Sequence, residues 1–343
     1  RKINDKEIII DNNLSAFLIK EQFYFKYIYY IFKELNMNDF LNISSVPSIN
    51  MDLLKSHKFS VTVNIKEQKI ITSFLDKKTS QIDKTIQKDT QLIELLKEKR
   101  TALINHAVTN GLDLDAKMKD SGVEWIGDIP EEWFMFKIKH LAGNCSNPVQ
   151  TGPFGAQLHA EDYVNEGIPL ILIRNVNCGR INDINIPYVS GEDAIRLSMY
   201  RLNVGDIVFS RVGSIGRAAL VTDKEEGWLI SGQMLRLRLT DKRIYNPYLV
   251  YLFQSNLSNE YVSLESVGST RESLNTQILS NMSFPLPIKQ KQEEIVNYLN
   301  KETSKIDETI HKIERKIELL EEYKKSLIHH VVTGKVDVRE EVV

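Results

Sequence analysis

The sequence predicts an α/β chain of the α+β type, in which a globular mixed α/β domain is joined to two long helices forming a coiled coil. Three observations predict it. Residues 65–114 recur as residues 289–338, with about 22 of 50 positions identical in an ungapped comparison. Each copy carries a seven-residue apolar repeat held over about five heptads, with no Pro or Gly inside it. The stretch between the copies mixes short strand-like and helix-like segments punctuated by Gly and Pro.

The repeat is specific in its residues. Thr79-Ser80-x-Ile82-Asp83-x-Thr85-Ile86 returns as Thr303-Ser304-x-Ile306-Asp307-x-Thr309-Ile310, and His106, Val108 and Thr109 return as His330, Val332 and Thr333. Repeats this far apart are not a solenoid; a globular part followed by a helix occurs twice. In the first helix Leu75, Ile82, Leu96 and Leu103 fall on one heptad series, and Ile86, Ile93 and Ala107 on a second. In the second helix Leu299, Ile306, Ile313, Leu320 and Leu327 match the first series, and Val296, Ile310, Ile317 and Val331 the other. A stripe this narrow does not suit a large core, so the two helices are expected to pack on each other. Arg100 with Lys324, and Thr79 with Thr303, interrupt the seam at matching places. Such residues either snorkel at its edge or fix its register.

The 343 residues, 42% hydrophobic and 26% charged, suit two or three structural units. No apolar run approaches the ~20 residues of a membrane span, and no signal peptide is visible. Cys145 and Cys178 make no disulfide or metal framework, so a reducing cytoplasm is the expected setting. The net charge of −2 excludes only a uniformly basic nucleic-acid binder, because a local patch hides in a neutral total.

The globular part after the first helix opens with Trp125-Ile126-Gly127 and Ile129-Pro130, ending at Trp133, which reads as a linker anchored by its two tryptophans. Strands are expected at 169–173, 206–210, 217–221 and 234–239. Helices are expected at 193–200 and 246–256, where Pro247 suits a first turn. This order gives a mixed domain rather than a wound parallel sheet. Only about 64 residues precede the first long helix, with a strand-like 7–10 and a helix near 21–35. They correspond loosely to residues 228–287. The first globular unit is therefore expected to lack its N-terminal two-thirds, and a chain beginning at Arg1 reads as a fragment.

Several of these motifs occur together in one order. The doubled helices with their Val-Thr tails, the Trp125 to Trp133 opening, Gly205-Asp206-Ile207-Val208-x-Ser210-Arg211-x-Gly213-x-Ile215-Gly216, and Pro285-x-Pro287 before the second helix resemble the specificity subunits of Type I restriction-modification enzymes. The resemblance covers essentially the whole chain. It implies two target recognition domains, each reading half of a split site in double-stranded DNA, separated by the two helices packed antiparallel. It divides this chain into a remnant of the first recognition domain (1–64), the first helix (65–110), the second recognition domain (111–288), the second helix (289–335) and a tail (336–343). It also implies methyltransferase and restriction subunits as partners. S-adenosylmethionine, ATP and Mg would sit on those partners and none on this chain.

The residues themselves support DNA reading less strongly. Nine Arg and Lys against five Asp and Glu between positions 196 and 243 give a local balance of about +4. Phosphates call for such cations, and bases for planar donors and acceptors. In residues 211–217, Gly213 and Gly216 permit close backbone approach to a phosphate, Ser214 adds a hydroxyl, and Arg211 and Arg217 flank them. A plain turn between two strands would read the same. Gly152 and Phe154 belong to a polar turn at 150–157, where Phe154 is a stacking group or a core anchor. Arg174 and Asn175 end a strand and either reach base edges or make strand-end hydrogen bonds; Gln233 is also placed near the bases, and Arg236 is a further DNA-binding candidate. The alternation at 234–239 puts Arg236 and Arg238 on one face, which is either solvated or turned to DNA.

No enzyme chemistry gathers. Asn246-Pro247-Tyr248 is only part of the Asn-Pro-Pro-Tyr element of adenine methyltransferases and has no Gly-rich cofactor turn beside it, so a helix N-terminus explains it. No P-loop is visible, and His106, His329 and His330 sit at helix ends where a cation suits the dipole. The expected role is a non-catalytic DNA-recognition subunit. The alternative is a coiled-coil scaffold with a protein-binding domain.

Overall fold

The computed structural model describes residues 18–42, 48–177, 179–211, 217–265 and 274–340; the strand-like 7–10, Cys178, Gly213, Ser214 and Gly216 lie outside them. Four helices organise the chain: α1 (Phe25–Glu34), α2 (Ile65–Thr109), α3 (Asn246–Gln254) and α4 (Lys289–Val332). The chain forms two compact units, residues 1–95 with 308–343, and residues 96–307, so both long helices contribute to both units.

Within each unit the long helices run antiparallel. In the first, Lys324 pairs with Asp83, and Lys316 Nζ lies 2.8 Å from Asp89 Oδ2. In the second, Arg100 Nε lies 3.0 Å from Asp307 Oδ1. The heptad residues line this contact: Leu75, Ile82, Ile93, Leu299 and Ile306 are buried, and Leu96, Leu103, Ile317, Leu320 and Leu327 are half-buried. Arg100 and Lys324 therefore sit in ion pairs between helices. Thr79 and Thr303 are buried, each donating its hydroxyl 2.7 Å to the carbonyl one turn back, on Leu75 and Leu299.

The first unit packs α1 on this pair. Tyr27, Tyr30 and Ile31 meet Ile71, Phe74, Leu75, Ile328 and Val331 in its core. The Tyr27 hydroxyl donates to Val332 O, Tyr30 donates to Asp76 and meets the Thr79 hydroxyl, and Tyr24 N donates to Gln68 Oε1. His329 Nδ1 lies 2.9 Å from Glu34 Oε1.

The second unit repeats this arrangement with α3. The Tyr248 hydroxyl donates to Val108 O, Tyr251 donates to Asn300 and meets the Thr303 hydroxyl, and Tyr245 N donates to Gln292 Oε1. On the long helices these partners are 224 apart (332 − 108), and on the short helices 221 apart (248 − 27). The doubled unit therefore includes the short helix as well as the heptads. Trp133 is buried in this core, and Trp125 packs against it beside Tyr261.

Apart from a two-residue pairing of Leu41–Asn42 with Ser48–Ile49 in the first unit, the main sheets belong to the second: β1 (Phe134–Lys137), β2 (Val149–Thr151), β3 (Tyr163–Val164), β4 (Ile168–Ile171), β5 (Tyr188–Val189), β6 (Ile207–Ser210), β7 (Ala218–Leu220), β8 (Leu229–Ile230), β9 (Met234–Leu237) and β10 (Ser283–Leu286). One sheet has the order β7-β6-β9-β2, all antiparallel; another has β8-β4-β5-β3, in which β8 and β4 are parallel; β10 pairs with β1. Ile207, Phe209, Leu235 and Leu237 face the helical core, while Val208, Ala219 and Met234 face Ile171 and Ile230. The first sheet is thus covered on both faces. All four residues of β6 and all four of β9 are buried, as a two-sided strand requires.

Candidate nucleic-acid interface

The sheet registers bring the candidate segments together. Ser210 lies opposite Met234, Leu235 opposite Thr151, and Phe209 opposite Ala218. Hence 152–157, Arg211, Arg217 and 231–233 all lie at the same end of the β7-β6-β9-β2 sheet. Ser231 N donates 3.0 Å to Ile171 O, and β8 runs parallel to β4, so the chain beyond Ile171 leaves in that direction too.

At that end two turns pack backbone on backbone. A Cβ on Gly152 would lie 2.2 Å from Ser231 O, and one on Gly232 2.3 Å from Pro153 O, so only glycine fits at either position. This contact puts Phe154 beside Arg211. The Arg211 guanidinium carbon stands 4.8 Å from the centre of the half-exposed Phe154 ring. Arg211 also donates 3.2 Å to Gly232 O, while its buried Nε has no hydrogen-bond partner among the described residues. Its backbone N donates to Gln233 O, and Leu274 N donates to its carbonyl. Gln157, which the sequence reading did not single out, holds the turn: its Oε1 accepts from Phe154 N and from the Tyr200 hydroxyl. Gln233, Arg217 and Arg174 are exposed, with Arg174 donating 2.8 Å to Asn185 O.

Three expected DNA contacts need correction. Arg236 is buried, because its strand face is covered by the second sheet and not by solvent. It donates to the carbonyls of Met199 and Asn147 and to Gln150 Oε1; burial, then the neighbouring Arg238 charge, holds its pKa below the usual arginine value. Asn175 is fully buried, its Oδ1 accepting from Leu172 N and its Nδ2 donating to Ile184 O, so it closes a turn and has no amide edge left for a base. Gly152 is buried too, and its N–H donates to Met234 O.

The local excess of positive charge is largely neutralised within the fold. Arg238 forms a two-pronged pair with the buried Asp206, at 2.8 Å and 2.6 Å, and that partner raises its pKa. Arg196 pairs with Asp193, Lys224 with Asp183, and Arg243 with Asp241. What remains at the sheet end is a small constellation of Arg211 stacked on Phe154, Arg217 and Gln233. Among the described residues no His, Cys, Asp and Glu group suits a metal, and no helix is long and apolar enough to cross a membrane.

Comparison with known proteins gives one consistent answer. Residues 151–319 match the type I restriction modification DNA specificity domain. The chain is 23% identical over 300 residues to the type I restriction enzyme MjaVIII specificity subunit of Methanocaldococcus jannaschii, covering 86% of this chain and 66% of that one. It is 27% identical over 240 residues to the EcoBI specificity subunit of Escherichia coli, covering 68% of this chain and 48% of that one. The chain thus spans between about half and two-thirds of these relatives' length. A solved chain from a study of complex assembly and conformational transition of the type I R-M system shares the fold, with a TM-score of 0.60 at 12% identity over 90% of this chain and 68% of that one. The motifs, the doubled helix-bearing unit and the matched domain agree: residues 151–319 carry a type I restriction modification DNA specificity domain, and the chain as a whole is similar to type I restriction enzyme specificity subunits.

Proposed function

We propose that this chain recognises double-stranded DNA in a sequence-specific manner and is itself non-catalytic, directing methyltransferase subunits, and a restriction subunit with them, to the site it reads. S-adenosylmethionine, ATP and Mg belong in this reading to those partners. The observation that carries it is the single sheet end at which Arg211, Phe154 and Gln233 gather, on a scaffold in which Arg196, Arg236, Arg238 and Arg243 are engaged within the fold. A guanidinium held over an aromatic ring is preordered for a phosphate or a guanine edge, and a glutamine suits adenine. Residues 96–307 would then read one half of a bipartite site.

The experiment is selection of duplexes from a random library by the full chain with its methyltransferase subunits. Enrichment of a defined base pattern supports the reading. Binding without sequence preference, in the presence of the partners, overturns it.

A further inference from the structure

The helix pair carries ion pairs of two kinds. Shifting Arg100–Asp307 by the repeat distance of 224 gives Lys324 and Asp83 (100 + 224 and 307 − 224), which are themselves an ion pair. These two bridges are copies of one another. The same bridges would form if α2 met the α2 of a second chain, with Arg100 against Asp83. Asp89–Lys316 is different. Its shifted positions are Leu92 and Ile313 (316 − 224 and 89 + 224), which carry no charge. Asp89 is also buried, and it occupies the place in the heptad series between Ile82 and Leu96.

In a pair of α2 helices from two copies, the same register would set Asp89 against Leu92 with no lysine at the position of Lys316. It would also bring the two Asp89 carboxylates within about a turn of each other across the seam. A buried carboxylate without its cation is strongly unfavourable, and two such groups are worse. The helix ends add to this. Arg339 feels the Glu67 carboxylate, and Lys291, which stands at the place equivalent to Glu67, feels Asp113. Glu67 and Lys291 occupy corresponding positions with opposite charge (67 + 224), so pairing of like helices would bring Glu67 towards Asp113, and Lys291 towards Arg339.

We propose that the Asp89–Lys316 pair makes the first long helix select the second and reject the same helix of another copy. Two helices with the same heptads and the same flanking bridges would otherwise associate with little preference, and one buried polar position is enough to decide between partners. This holds whether or not the second unit reads DNA.

The test uses the full chain with Cys145→Ser, Cys178→Ser and Leu92→Cys, refolded from denaturant at high protein concentration and treated with a short bis-maleimide. Pairing of like helices brings the two reporter cysteines within a turn of one another. The parent should give little inter-chain product. Asp89→Leu with Lys316→Leu should give about tenfold more, since the charge that opposed the α2–α2 pair is gone. Asp89→Lys with Lys316→Asp should return to the parent level, and should recover the melting temperature lost in either single reversal. Equal cross-linking in the leucine variant and the parent overturns the proposal. So does a swapped variant that cross-links as much as the leucine variant.

Discussion

The Tyr248 hydroxyl, wholly buried, donates 3.2 Å to the carbonyl of Val108 near the end of the first long helix. The same hydroxyl also lies 3.2 Å from Pro285 O, so a single phenol ties α3 to the end of α2 and to β10. Its counterpart Tyr27 makes longer contacts, donating 3.4 Å to Val332 O and accepting from Thr62 N at 3.4 Å. Tyr248→Phe should therefore lower unfolding free energy by about 1–2 kcal/mol, and Tyr27→Phe by less, about 0.5–1 kcal/mol. Thermal melts of the two variants against the parent check the order.

Leu75 and Leu299 occupy equivalent seam positions and are both fully buried. Leu75→Ala and Leu299→Ala should each cost about 2–5 kcal/mol through lost burial and the cavity left behind. Leu95→Ala and Leu319→Ala, also equivalent but 60% and 48% exposed, should each cost under about 0.5 kcal/mol. Denaturant unfolding of the four variants distinguishes a buried seam from an amphipathic pattern without one.

The helices were legible in the sequence because heptads report directly on a one-sided contact. Asp89 was passed over for the same reason: a gap in an apolar series reads as noise until Lys316 stands opposite it. The strands were legible near residues 168, 207, 218 and 234, but the fate of their faces was not. Alternation sorts Arg236 and Arg238 away from Leu235 and Leu237, yet it cannot say whether the other face meets water or a second sheet. Asn175 could not be decided from sequence, because a strand-end asparagine that closes its own turn has the same local sequence as one that reaches outward; the structure gives the first. Phe154 beside Arg211 depends on the backbone contact of Gly152 and Gly232, separated by 80 residues, which no local pattern contains.

Asp206 is buried and holds Arg238 through two short hydrogen bonds, while its Oδ2 also accepts from Asn203 N. Asp206→Ala leaves a half-buried guanidinium without its counter-charge, which should cost about 3 kcal/mol or more. Asp206→Ala with Arg238→Met should recover part of that loss. A double variant no more stable than the single one would mean that backbone bonds from Asp206, rather than the ion pair, carry its contribution.

Acid should weaken the fold in a defined window. Asp337 is lowered to about 2, chiefly by its hydrogen bond from Arg339, and Asp193 and Asp241 are lowered by Arg196 and Arg243. Each is depressed in the folded chain, so its contribution is present above the ordinary carboxylate value near 3.8 and is lost as pH falls from there through the folded value. The melting temperature should be flat between about pH 7 and 5 for these groups and decline from about 4 towards 2. Arg339→Ala should flatten a small part of that decline. Because Asp337 is exposed, the change should be modest and shrink further in high salt.

Replacement of arginines should separate phosphate holding from fold maintenance. Arg211 and Arg217 stand at the open end of the sheet, whereas Arg236 is enclosed and donates only to groups of its own unit. If Arg217 neutralises one phosphate, Arg217→Ala should weaken binding to every duplex similarly and reduce the slope of log affinity against log salt by about 0.9. Arg211→Ala should do the same if Arg211 meets phosphate, but should relax preference at one base pair, by about 1–3 kcal/mol, if it meets a guanine edge. Phe154→Ala removes the ring beneath the guanidinium and should reproduce part of the Arg211 effect with the charge intact. Arg236→Ala should instead lower the melting temperature and leave the salt slope of the remaining folded protein unchanged. Anisotropy titrations across a range of salt, on matched and single-mismatch duplexes with the methyltransferase subunits present, read all four. A reduced salt slope in Arg236→Ala at full folded fraction would mean that the enclosed strand face opens on DNA.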